Sequence, residues 1–258
     1  MTTPEEVEKT RAPLIYHLEE FRSRLWKCCT TLILASGVCY YFSDYIYAFL
    51  AQPLADAYPD PGSHKLIYTG LAEAFSTYVH MSLFAGFLLS FPMIAYQFYM
   101  FLAPGMYKDE RGVLKPFLII GPVLFFAGAA LAYYFIIPMA WKFLLGFETH
   151  GGKGLLPIES ELRVSEYFSL VMHIIIAIGL VFQLPVILTM LASVGLLDSG
   201  KLARGRKYAV LAIVIVAAFL TPPDAYSQIG LSIPLYLLYE ISILACRRIE
   251  KRRKKNNA

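Results

Sequence analysis

Long apolar runs alternate with short charged segments along the 258-residue chain. An α-helix needs about 20 apolar residues to cross a hydrocarbon core about 30 Å thick. The runs predict an all-α, polytopic membrane protein with six transmembrane helices, which we place at residues 28–45, 75–101, 116–137, 167–194, 208–220 and 225–246. The fifth run has only 13 residues, or about 20 Å of helix. We therefore expect short fifth and sixth helices and a locally thin membrane around them.

The segments outside these runs complete a single membrane domain. Residues 1–24 form a polar arm with an apolar stripe of helical spacing, which predicts an amphipathic helix on the membrane surface: Leu14, Leu18, Phe21 and Leu25. Residues 46–74 contain several prolines and interfacial aromatics and predict a short amphipathic cap. Residues 138–166 predict a loop with a surface helix, and residues 247–258 a basic tail.

Composition supports the membrane class and gives an orientation. The chain is 57% hydrophobic and 16% charged, with a mean hydropathy of +0.55. Of its 23 Lys and Arg, 19 lie before the first predicted helix (residues 1–27), in the 102–115 and 195–207 loops and in the tail. Since basic loops stay on the cytoplasmic side, both termini are expected to be cytoplasmic. Topology explains the net charge of +4, so we predict no nucleic-acid partner.

The chain has four cysteines: Cys28, Cys29, Cys39 and Cys246. Their spacing is not that of metal ligands, and we expect neither a metal nor a cofactor.

Two acidic residues lie where helices meet the cytoplasmic surface. Glu110 belongs to the short charged turn FLAPGMYKDERGVLKPF between the second and third helices, and Glu20 belongs to the arm. Carboxylates in such places can pair with the guanidinium groups of a cationic ligand. A simpler interpretation of Glu20 is a helical i,i+4 pair with Arg24.

Polar residues inside the later helices allow two interpretations each. Gln183 lies two residues before Pro185, which cannot donate to the Val181 carbonyl. Its amide can help to satisfy that break, or it can form a hydrogen-bonding site facing a groove in the bundle. Asp224 can simply cap the sixth helix. Glu240 would be costly in the membrane unless it is paired or near the interface.

Three motifs in this order resemble the TatC family, the polytopic core and signal-peptide receptor of the twin-arginine protein translocase. They are HLEEFRSRL at 17–25, FLAPGMYKDER at 101–111 and LTPPDAYSQ at 220–228, followed by IPLY at 233–236 and Glu240. The resemblance runs from about His17 to Glu240. It implies a protein-transport component of the bacterial cytoplasmic (inner) membrane, driven by the proton-motive force, and not an enzyme.

The resemblance also implies roles for particular positions. Glu20, Glu110, Phe101 and Arg22 correspond to the surface that binds the twin-arginine signal peptides of folded cargo. Thr221 and Gln228 correspond to a polar cluster where single-span TatA and TatB partners dock, to which we add Gln183. Asp224 and Pro53 correspond to positions tied to transport, and Glu240 is grouped with them. Many members carry Glu where this chain has Gln183, which cannot ionise. The family further implies self-association in a multimeric receptor complex.

Two other classes of membrane protein share some of these features. A secondary transporter would show internal repeats with matching broken helices, and we find none at useful similarity. An intramembrane protease would need a nucleophilic serine with histidine, two mid-helix aspartates or HExxH; Asp44 and Asp224 both lie at helix ends, and HExxH is absent.

Overall fold

The computed structural model describes residues 4–58, 65–102, 111–148, 156, 160–193 and 195–256. All regular secondary structure in the described residues is helical, apart from an isolated bridge between Ile67 and Arg163. In order, the helices are α1 Pro4–Tyr41, α2 Ser43–Ala55, α3 Glu73–Leu102, α4 Arg111–Leu131, a π-helical turn Ala132–Ile136, α5 Ile137–Leu145, α6 Val164–Val181, α7 Leu184–Ser193, α8 Ser199–Arg204, α9 Arg206–Leu220 and α10 Ala225–Asn256.

The first transmembrane helix differs from its prediction at both ends. The arm is not a separate surface helix, because α1 runs without interruption to Tyr41. No glycine or proline lies between Leu14 and Ser36 to break it. Its end also precedes the predicted Tyr45: the chain bends by 81° into α2. The first part of the predicted cap segment is α2, which begins at Ser43 and ends at Ala55.

Close packing of α1 against α3 is made possible by one glycine. A Cβ atom at Gly86 would lie 2.7 Å from the Cα and the amide nitrogen of Ser36, so any larger residue would push the helices apart. Small residues at such crossings let helix backbones approach in a membrane. The Ser90 hydroxyl donates a 3.4 Å hydrogen bond to the Thr31 carbonyl along the same pair.

The third transmembrane helix is longer than predicted. After α4 it passes through the π-helical turn and continues beyond the predicted end at Ile137, as α5, to Leu145. Pro138 cannot donate a hydrogen bond, and the turn before it lengthens the bonding pattern, with the Ile137 amide donating to the Ala132 carbonyl five residues back. Residues 149–155 and 157–159, in the predicted outer loop, lie outside the described residues.

The fourth transmembrane helix is broken in the middle. It comprises α6 and α7, separated by Phe182 and Gln183. Pro185 explains the break because it has no N–H for the Val181 carbonyl. The predicted range of 167–194 therefore covers two shorter helices, and the first of them begins at Val164.

The fifth span is short, as predicted, whereas the sixth helix is longer than the short helix that was predicted. α9 has 15 residues, which corresponds to about 22 Å of helix. α10 begins at Ala225 and continues beyond Cys246 to Asn256. Lys and Arg are good helix formers, so the predicted basic tail prolongs the helix. A further short helix, α8, lies in the basic loop before α9.

Apolar length within the described residues agrees with a multi-pass protein. Four stretches are long and apolar enough to cross a membrane: Glu73–Phe101, Leu118–Leu145, Val164–Ser193 and Ala225–Lys251. The bent α1–α2 pair counts as a fifth. α9 corresponds to the fifth predicted run and is too short for that length criterion. The main core lies between α2, α3, α5 and α6 around fully buried side chains that include Met81, Phe168 and Ile178.

Candidate functional site

A polar cluster joins α1 to the end of α3. The Glu20 Oε1 atom accepts hydrogen bonds from Arg24 Nη2 at 2.6 Å and Nε at 3.0 Å. Arg24 Nη1 donates a third bond, 3.2 Å long, to Gln97 Oε1 on α3. The Glu20 and Arg24 side chains are 18% and 19% exposed. The simpler sequence interpretation of an i,i+4 pair is therefore confirmed, and the pair has an additional partner.

Aromatic packing extends this cluster to one more predicted residue. Phe21 contacts Phe101 edge to face, with ring centroids 5.5 Å apart. We call Glu20, Phe21, Arg24, Gln97 and Phe101 the Glu20 cluster. Sequence reasoning missed the contribution of Gln97, although its spacing four residues before Phe101 places both on one face of α3.

Two predicted members of the signal-peptide surface are not joined to the Glu20 cluster by described contacts. Arg22 is exposed and makes no hydrogen bond or ion pair with any residue that the structure describes. Glu110 lies outside the described residues, nine positions after Phe101 in the sequence.

Gln183 makes an interhelical contact that neither sequence interpretation predicted. Its Nε2 donates a 2.8 Å hydrogen bond to the Gly121 carbonyl on α4, and its Oε1 accepts a 3.4 Å bond from the Tyr99 hydroxyl on α3. A Cβ atom at Gly121 would lie 2.7 Å from the Tyr99 hydroxyl oxygen. Gln183 is buried and does not face a groove, and its amide donates to the Gly121 carbonyl and not to the Val181 carbonyl. It joins three helices at the break between α6 and α7.

A groove between α9 and α10 contains one of the predicted docking residues. Its volume is about 520 Å³, and Gln228 lines it together with mostly apolar side chains. The Gln228 amide lies 3.4 Å from the Val214 carbonyl. Thr221 is buried, and its hydroxyl donates to the Ala217 carbonyl one turn earlier. Thr221 therefore stabilises the end of α9 and does not face the groove.

Asp224 caps α10, as the simpler interpretation predicted. Its Oδ2 accepts a 2.6 Å hydrogen bond from the Ser227 amide, and the side chain is buried. The buried Asp224 Oδ1 and Ser227 Oγ atoms have no hydrogen-bond partner among the described residues. One oxygen of the carboxylate is therefore committed to the cap.

Glu240 is paired with Arg206, as a carboxylate in this part of a membrane helix requires. Arg206 at the start of α9 donates two hydrogen bonds to its carboxylate, 2.6 and 2.9 Å long, and the Tyr236 hydroxyl donates a third of 3.0 Å. This bidentate pair ties the two last spans together.

Pro53 creates a structural requirement inside α2. Without an N–H, it leaves the Phe49 carbonyl with no donor from its own helix. The Tyr133 hydroxyl donates a 2.6 Å hydrogen bond to that carbonyl from the π-helical turn. The Tyr167 hydroxyl donates a 2.7 Å bond to the neighbouring Leu50 carbonyl. The sequence pattern gave no sign that these two tyrosines anchor α2.

Glu73 at the start of α3 is a further residue that sequence reasoning missed. One carboxylate oxygen accepts hydrogen bonds from the backbone amides of Thr69 and Gly70, and the other accepts a 2.5 Å bond from the Ser165 hydroxyl on α6. Arg163 lies 3.3 Å away. The hydrogen bond to Glu73 and its charge raise the pKa of the Arg163 guanidinium. The carboxylate thus joins the start of α3 to the start of α6.

Sequence comparison places these residues in a known family. The family model of the Sec-independent protein translocase protein (TatC) matches residues 16–234. The TatC protein of Rickettsia prowazekii (strain Madrid E) is 44% identical over 240 residues, which cover 93% of this chain and 94% of that protein. The TatC protein of Escherichia coli (strain K12) is 34% identical over 241 residues, 93% of this chain and 90% of that one.

Structure comparison gives the same result. The crystal structure of the twin arginine translocase receptor TatC is similar with a TM-score of 0.73 and 35% identity, covering 91% of this chain and 99% of that chain. A second crystal structure of that receptor, in DDM, matches with the same TM-score and covers 88% of this chain. The predicted fold class, an all-α membrane protein with six transmembrane helices, is confirmed.

Proposed function

This chain belongs to the TatC family of Sec-independent protein translocase proteins, and we propose that it binds the twin-arginine signal peptides of folded proteins at the Glu20 cluster. The observation that carries the proposal is the carboxylate of Glu20. It is held on α1 against the end of α3 and remains 18% exposed. It is therefore fixed in position and within reach of a ligand.

The chemistry of this surface suits a guanidinium. A carboxylate accepts two parallel hydrogen bonds from one arginine, which an ammonium group cannot match. Phe21 follows Glu20 in the sequence and contacts Phe101, and aromatic rings can bind an arginine guanidinium. We propose that Glu110 and Arg22 complete this surface, with Glu110 as the carboxylate for the second arginine.

Peptide binding to the full chain in lipid nanodiscs tests the site. Fluorescence anisotropy would measure the affinity of a labelled twin-arginine signal peptide for the native chain and for Glu20→Gln and Glu110→Gln variants. We expect each variant to bind about tenfold to a hundredfold more weakly, since a hydrogen bond to a charged group contributes about 1.5 to 3 kcal/mol.

Glu19→Gln is the matched control. Glu19 is the exposed neighbour of Glu20 on α1, so this variant removes the same charge without touching the Glu20 cluster. Equal affinities for Glu19→Gln, Glu20→Gln and the native chain would exclude Glu20 as the recognition residue.

We further propose that the groove between α9 and α10 binds the single transmembrane helices of TatA and TatB. Three apolar residues spaced four apart on α10 are 56% to 60% exposed beside Gln228: Ile229, Ile233 and Leu237. Such a stripe fits one face of a second helix. Gln228 offers that helix a hydrogen bond, whereas Thr221 and Gln183 are buried and bonded within the chain.

Disulfide crosslinking tests this docking surface. With the four native cysteines replaced by alanine, a cysteine at Ile233 should crosslink to a cysteine in the TatA or TatB helix. A cysteine at Leu34, which is 66% exposed on α1, is the control and should give no adduct. Similar crosslinking at both positions would indicate random contact in the bilayer and contradict the proposal.

The remaining steps of transport are also part of the proposal. We place the chain in the bacterial inner membrane with both termini cytoplasmic, since 19 of its 23 basic residues lie on the proposed inner side. Several copies and their partners would form the pathway, because six helices cannot surround a folded domain with a radius of gyration near 13 Å. The proton-motive force would supply the energy.

Thiol labelling with an impermeant reagent tests the proposed orientation. A cysteine at residue 258 should remain unlabelled in intact cells and should become labelled after lysis.

A further inference from the structure

The Glu20 carboxylate is already bound by a guanidinium of its own chain. Both Nε and Nη2 of Arg24 donate to the single oxygen Oε1. Glu20 Oε2 has no hydrogen-bond partner among the described residues. A cationic ligand that approaches Glu20 therefore meets a neutral pair and not a free negative charge.

We infer that Arg24 is an internal competitor for the arginines of the signal peptide, and that Gln97 accepts the Arg24 side chain when the peptide displaces it. This inference rests on the proposed function, since it concerns the same carboxylate. It adds two residues, Arg24 and Gln97, that set how tightly a peptide must bind before it is retained.

The geometry makes the displacement feasible. Arg24 Nη1 already donates to Gln97 Oε1 at 3.2 Å, so its guanidinium keeps one partner after it leaves Glu20. Gln97 is only 5% exposed, and its oxygen therefore stays close to Arg24 on the packed face of α3. Exchange of one guanidinium for another leaves Glu20 paired with a cation both before and after the peptide binds.

Competition has a quantitative signature. The apparent affinity of a ligand falls by the fraction of the protein that is competent to bind it, here the fraction in which Glu20 is free of Arg24. That fraction is the same for every ligand. Removing Arg24 should therefore strengthen binding of twin-arginine and twin-lysine peptides by the same factor and leave their ratio unchanged. If Arg24 instead oriented Glu20, its removal would weaken twin-arginine binding and reduce the ratio.

The first experiment measures both peptides on an Arg24→Gln variant of the full chain in nanodiscs. We expect both affinities to rise about threefold to tenfold, since a partly exposed ion pair is modest in strength and partly screened. Lys27→Gln is the control, because Lys27 is an exposed basic residue of the same helix outside the Glu20 cluster. Unchanged or weaker binding by Arg24→Gln would overturn the inference, as would equal tightening by Lys27→Gln.

The second experiment tests Gln97 through a double-mutant cycle. Gln97→Met removes the acceptor for the displaced Arg24 and should weaken peptide binding about twofold to fivefold. In the Arg24→Gln background the same substitution should have no effect, because nothing remains to be accepted. An equal loss in both backgrounds would show that Gln97 acts through the packing of α3 and would overturn its assigned role.

Glu20→Gln separates failure of this inference from failure of the proposed site. If Glu20→Gln leaves peptide affinity unchanged, Glu20 is not the recognition carboxylate and both ideas fall. If Glu20→Gln weakens binding while Arg24→Gln does not tighten it, the site remains and the competition is wrong.

Discussion

The two ends of α3 use their polar side chains in different ways. At its beginning, Glu73 and the tyrosines that hold α2 make several short hydrogen bonds to backbone groups. At its end, the Glu20 cluster holds a carboxylate with one flexible arginine, and both side chains remain about one-fifth exposed. A buried backbone acceptor such as the Leu50 carbonyl is costly to leave without its donor, whereas a partly exposed ion pair exchanges more easily. We therefore expect the first end to contribute mainly to stability and the second to exchange partners when a ligand binds.

The largest effect on stability is expected from Tyr133→Phe. This change leaves the Phe49 carbonyl with no donor, because Pro53 cannot supply one. The free energy of unfolding should fall by about 1 to 3 kcal/mol, measured by denaturation in detergent micelles. Tyr134→Phe is the control, since the Tyr134 side chain is 63% exposed.

A second substitution sharpens this prediction. Pro53→Ala restores a backbone donor for Phe49, so Tyr133→Phe should cost clearly less in the Pro53→Ala background. Equal costs in both backgrounds would show that the tyrosine acts through its ring packing and not through its hydroxyl group.

Glu73→Gln should loosen the beginning of α3 without unfolding the chain. The amide side chain has one acceptor in place of two, and it cannot form the ion pair with Arg163. We expect faster hydrogen exchange at the Thr69 and Gly70 amides, read by mass spectrometry. Glu166→Gln also removes an Arg163 partner but should leave those amides protected. Unaltered exchange in Glu73→Gln would mean that other contacts hold this end.

The Gln183 contact predicts a smaller loss of stability. Gln183→Met removes the hydrogen bond to the Gly121 carbonyl at nearly constant volume, and should lower the free energy of unfolding by about 1 kcal/mol. Tyr99→Phe removes only the long 3.4 Å bond and should cost less. The opposite order in the same denaturation assay would refute this description of the contact.

The smallest effect on stability is expected at the Glu20 cluster. Glu20→Gln should change the free energy of unfolding by less than about 1 kcal/mol, although peptide affinity should fall strongly. Tyr133→Phe should do the reverse. A Glu20→Gln variant that unfolds as readily as Tyr133→Phe would remove the distinction between the two ends of α3.

The sequence alone was sufficient for the fold class and for most of the spans. Apolar length and basic loops are local properties of the chain, so six helices and the short α9 could be predicted directly. Helix continuity was harder to predict. The arm is continuous with α1. The helix also continues through Pro138, because the π-helical turn before it adjusts the hydrogen bonding to the missing donor.

The same distinction between local properties of the sequence and contacts made by the fold applies to the site residues. Motifs indicated Glu20, Phe101, Gln228 and Asp224 by residue type and order, and the i,i+4 rule identified the pair of Glu20 with Arg24. Three contacts depend on the tertiary structure alone. Gln97 meets Arg24, Tyr133 meets the Phe49 carbonyl that Pro53 leaves without a donor, and Gln183 meets Gly121. Each of these contacts joins residues more than 60 positions apart. Helix packing decides such contacts, and a periodic pattern records which face of a helix is buried but not which residue it meets.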